Sequence, residues 1–96
     1  MSLYFVRHQH SPETCPARNP LMGNQLLAYI NPVNARNNGV NILGEAVLDG
    51  QHTFVLIVEA DSPQTVEGFL EPFKAAGTLE VTAASTCENV VERAGC

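Results

Sequence analysis

At 96 residues the chain fits one domain, and a domain this small buries only about two-thirds of its unfolded surface, so its own core is modest and a second copy would help it. Apolar content of 45% with 16% charged residues speaks against a disordered tail or a repeat array. The net charge is −5 with five Lys and Arg scattered along the sequence, so no basic stripe exists to neutralise phosphates, which argues against nucleic acid or an anionic membrane surface as a partner.

No apolar run approaches the roughly 20 residues needed to span a bilayer, and the N-terminus enters a strand pattern directly, without a secretory signal, so a cytoplasmic location is expected. Leu3 to His10 is rich in aromatic and β-branched types and stops at Ser11-Pro12, which predicts a first strand. Alternation places Tyr4, Val6, His8 and His10 on one face, and Leu3, Phe5, Arg7 and Gln9 on the other. A polar loop from Ser11 to Arg18 carries Cys15. Asn19-Pro20 then caps a helix in which Met22, Leu26, Leu27 and Ile30 recur at helical spacing. Asn31-Pro32 interrupts it, and Asn38-Gly39 supplies a left-handed stop after one more short turn of helix.

Val40 to Leu48, Asp49-Gly50, and His52 to Ala60 read as a β-hairpin with a type I′ turn. Ser62-Pro63 starts a second helix carrying Val66, Phe69, Leu70 and Phe73, with Gly77 closing it. Pro72 removes the bond to the Gly68 carbonyl, so a bend or an early end near Glu71 is expected. Leu79 to Ala83 is the last strand. Residues 85–96 form a C-terminal tail, either a short helix or an extended arm. The order βαββαβ predicts one α+β ferredoxin-like domain over 1–96, an antiparallel sheet with both helices on one face. In this reading strands 1 and 3 are central and run parallel, with strand 4 bordering strand 1. The other sheet face would be bare on a monomer, so a homodimer is expected.

The stretch from Gly44 to Thr82, with its hairpin, LIVEADSPQTVEGFLEPF and LEVTAAS, resembles the small dimeric α/β-barrel families, many of unknown function. The opening LYFVRHQH is similar in style to the start of one such group that includes a nickel-binding member. The resemblance implies the fold and the dimer, and a range of roles from monooxygenases and isomerases to metal binders.

Chemistry concentrates at the first strand. His8 and His10 share a face about 6.8 Å apart at the backbone, within reach of one ion, and Cys15 follows as a thiolate donor. With strand 3 parallel to strand 1, Glu59 comes near as a fourth ligand, beside the start of strand 4. Such a set suits a divalent transition metal, nickel, zinc or copper, and suits magnesium or calcium poorly. The alternative for His8 and His10 is a pair of surface or interface histidines. A second cluster, His52, Cys87 and Cys96, is expected at the other end of the sheet. The odd number of cysteines and the absence of a CxxC pair argue against a disulfide framework. No Gly-rich phosphate loop, Ser-His-Asp order or nucleophile elbow is present, so no nucleotide cofactor is expected. The leading function is a homodimeric metal-binding module. The alternatives are an enzyme binding a small molecule in a cavity of the sheet, monooxygenase or isomerase-like, and an interaction domain without ligand; whether the protein is an enzyme stays open.

Overall fold

The computed structural model describes residues 1–96, as four strands and five short helices: β1 (Ser2–His10), α1 (Pro20–Tyr29), α2 (Pro32–Asn37), β2 (Asn41–Leu48), β3 (Thr53–Ala60), α3 (Pro63–Phe69), α4 (Glu71–Lys74), β4 (Gly77–Ala84) and α5 (Cys87–Glu92). Single 3-10 turns at Pro12–Thr14 and Pro16–Arg18 flank Cys15. No helix is long and apolar enough to cross a membrane.

The helix starts follow from their caps. Asn19, Asn31 and Ser62 each accept a backbone N–H in the first turn of the next helix, and each is followed by proline, which needs no donor there. Gly39, at φ 81°, ends α2: its N–H donates to Arg36 O and that of Val40 to Ala35 O, the paired bonds of a Schellman stop. Pro72 has the predicted effect. The helix is broken at Leu70, and α4 restarts with the proline in its first turn, where no N–H is required. The tail resolves as α5, capped by Thr86, with Arg93 folded back onto the Ser85 hydroxyl and the terminal carbonyls.

The sheet order is β2-β3-β1-β4, and every neighbouring pair is antiparallel. The expectation of parallel β1 and β3 is therefore corrected. The helical crossover returns the chain so that β2 runs with β1, and the hairpin then reverses β3. The register pairs Leu3 with Glu59 at one end and Gln9 with Thr53 at the other. The hairpin also departs from type I′. Its loop spans Asp49 to His52, and positive φ falls on Gly50 and His52 rather than on two successive residues.

The core lies between one sheet face and the helices α2 and α3, with Ala35 of α2 and Val40 fully buried in it. Tyr4, Val6, Phe54, Leu56 and Val58 pack there on Val66, Phe69 and Leu70, and His8 is buried among them. Only 13 of the 96 residues are buried, and apolar surface is left exposed on α1 and on the far sheet face, among other places. Helix α1 buries none of its side chains fully, with Leu21 and Leu27 largely exposed. On the far sheet face the cross-strand partners Phe5 and Ile57 are 38% and 45% exposed.

Candidate metal centre

The end of β1 brings its histidines to the helix side of the sheet by simple alternation. His8 is enclosed at 2% exposure, stacked on Phe54 with ring centroids 4.9 Å apart. Its Nε2 lies 2.7 Å from the Phe73 carbonyl. A carbonyl only accepts, so Nε2 carries the proton and Nδ1 is left as a buried lone pair without a partner. His8 is thus committed to the core.

His10, two residues on, is the last residue of the central strand β1 and lies on the same face. Both its ring nitrogens are buried and unpartnered. Burial, and then the neighbouring His8 and His52, push its pKa below the usual histidine value, which keeps the ring neutral and its lone pair available at neutral pH. Gly77 lets β4 start beside it: a Cβ on Gly77 would overlap the Gln9 backbone.

His52 arrives from the hairpin. Its carbonyl accepts the His10 N–H at 3.0 Å, and its backbone is held in the left-handed region at φ 48°. That conformation costs a non-glycine residue about 1–2 kcal/mol, a strain of the sort found where a side chain is aimed by its surroundings. The rings of His10 and His52 lie 5.6 Å apart, edge to face. Cys15, held between the two 3-10 turns, completes the group. One donor atom from each of His10, Cys15 and His52 lies within 4.8 Å of the others. A tetrahedral ion bonded at about 2.0–2.3 Å would bring such donors to roughly 3.3–3.8 Å, so closure asks for about 1 Å of side-chain rotation.

The structure therefore joins two of the expected ligands, His10 and Cys15, to His52, which the sequence alone places in the second cluster. Glu59 is not brought to this end. It pairs with Leu3 across the sheet and accepts a hydrogen bond from Asn41 Nδ2 at 3.0 Å. The antiparallel pairing that removes Glu59 is also what delivers His52. The expected cluster of His52 with Cys87 and Cys96 does not form, because the two cysteines are exposed beyond the end of β4, which pairs Ala84 with Leu3. The one sequence signal that leads to His52 is the βαββαβ order itself, since in the ferredoxin-like sheet the strand after the hairpin lies antiparallel beside β1 and starts next to its end.

The three donors stand at one end of a cleft of about 330 Å³ between α1 and the sheet. Leu26, Leu27 and Ile30 form one wall, and Val47, Phe54 and Leu56 the other.

Fold and site together describe an α+β, ferredoxin-like domain with an imidazole and thiol cluster on the helix side of its sheet. A family model for a domain of unknown function, DUF3303, matches residues 22–95, and the chain belongs to that family. The match takes in His52 and begins beyond His10 and Cys15. Among solved structures, a dimeric ferredoxin-like protein from an uncultured marine organism is similar at a TM-score of 0.50 and 12% identity, over 91% of this chain and 95% of that one. A comparison with curated proteins found no match.

Proposed function

We infer that the protein is a homodimeric domain that binds a soft divalent transition metal, nickel, zinc or copper, through His10, Cys15 and His52. The observation that carries this reading is the convergence of the three donor atoms within 4.8 Å, on residues from three separate segments. Two imidazoles and a thiolate match the preferences of these ions and leave out hard cations that need oxygen donors. The neutral His10 supports it, because a ligating imidazole must be unprotonated. For the dimer, support comes from the exposed Phe5 and Ile57 on the open sheet face and from the dimeric state of the similar marine protein.

Metal content of untagged protein, measured by mass spectrometry after exhaustive dialysis, tests the site. About one ion per chain is expected, falling below a tenth in the His10→Ala, His52→Ala double variant and unchanged in Cys87→Ser, Cys96→Ser. Equal uptake by the parent and the histidine variant would discard the site.

A further inference from the structure

We propose that the cleft between α1 and the sheet binds a small, largely hydrocarbon molecule with one anionic oxygen or sulfur head group, the head completing the coordination of the metal at His10, Cys15 and His52. This rests on the metal-binding reading above and goes beyond it by naming what occupies the cleft.

The cleft's volume of about 330 Å³ is at the lower end of the range of small-molecule sites, roughly 300–1,000 Å³. Most of the lining is aliphatic or aromatic, with Glu45 beside Val47 on the β2 wall, and two of the apolar wall residues, Leu27 and Val47, are 62% and 68% exposed. A hydrocarbon body laid between them would remove that surface from water. Sugars and nucleotides would instead meet walls without the many hydrogen-bond partners they require.

The head group follows from charge. No Lys or Arg lines the cleft, and its two formally charged residues are the acidic Glu45 and Asp49. The protein alone therefore offers an anion nothing to pair with. A divalent ion held by three protein ligands changes this, because a tetrahedral site keeps its fourth position for an exogenous donor. Because His10, Cys15 and His52 are themselves part of the cleft lining, the head group of a molecule in the cleft would be within reach of an ion they held. Carboxylates, thiolates and hydroxamates share the needed chemistry.

Cobalt(II)-loaded protein, titrated with the straight-chain carboxylates from acetate to octanoate, tests the proposal through the visible ligand-field bands. Each acid is expected to shift the bands, and affinity should rise about fourfold per added methylene, the factor that corresponds to burying one CH₂, until the cleft is full. Metal-free protein should bind octanoate at least tenfold more weakly. Leu27→Glu, a change at an exposed wall residue, should still take up cobalt while losing the chain-length gain. Stoichiometric cobalt with bands that no acid moves, or with equal affinity for acetate and octanoate, overturns the cleft proposal and leaves the metal site standing. Failure to bind cobalt at all overturns the metal site, and this proposal with it.

Discussion

Two histidines two residues apart on β1 have opposite fates, and their surroundings explain why. His8 is closed in by Phe54 and bound to the Phe73 carbonyl, so its role is structural. Replacing it with Phe keeps an aromatic ring against Phe54 but removes one of the two donors to the Phe73 carbonyl, which retains the Ala76 N–H, a loss of about 0.5–1.5 kcal/mol. Urea denaturation of metal-free His8→Phe should show that decrease. His10 has no such partner. Its pKa is lowered in the folded state, so the unfolded chain takes up a proton first as the pH falls. The contribution of His10 to stability is therefore complete above about pH 6.5, its ordinary value, and is lost progressively below it. The denaturation midpoint of metal-free protein should fall between pH 7.5 and 5.5, and His10→Gln should reduce that fall. A variant with the same slope as the parent would show that His10 is not the group responsible.

Among the elements, the junction of β1 with β4 sets the position of the candidate centre. Gly77 pairs with His10, and the Gln9 backbone occupies the space a Cβ would need. Gly77→Ala must push the strands apart, at a cost of the order of 1–3 kcal/mol for such overpacking, and would displace His10 as it does so. We expect a lower melting temperature together with weaker metal uptake, whereas Gly68→Ala, at an exposed position with open space around it, should lower neither. The helix boundaries were legible because each rests on local chemistry: Asn19, Asn31 and Ser62 as caps, Gly39 as a stop, Pro72 as a break. The bulge in β2 between Ile42 and Gly44 was not legible, since nothing in the residues themselves demands an extra position there. The αL conformation of His52 was hidden for the same reason: a loop that must reconnect two strands chose it.

At the scale of the whole molecule, a core on one sheet face leaves the other to be covered. Phe5 and Ile57 stand as direct cross-strand partners on that open face, and fully burying an apolar side chain of this size is worth about 1.5–3 kcal/mol. Placing a charge there should separate the proposed dimer. Ile57→Glu is expected to halve the mass seen by light scattering after size exclusion while the circular dichroism spectrum stays that of the parent. An unchanged mass would mean that this face is not the interface.

Periodicity and turn chemistry were enough, by themselves, to set the element order, the α+β class and the face on which the β1 histidines lie, because alternation and capping are decided within a few residues. Strand direction was a different matter. Pairing β3 against β1 in reverse exchanged Glu59 for His52 at the end of the sheet, and the stand-off of α1 opened the cleft beside them. Those outcomes depend on how distant segments meet, so only the tertiary structure could decide which thiol and imidazoles share a centre.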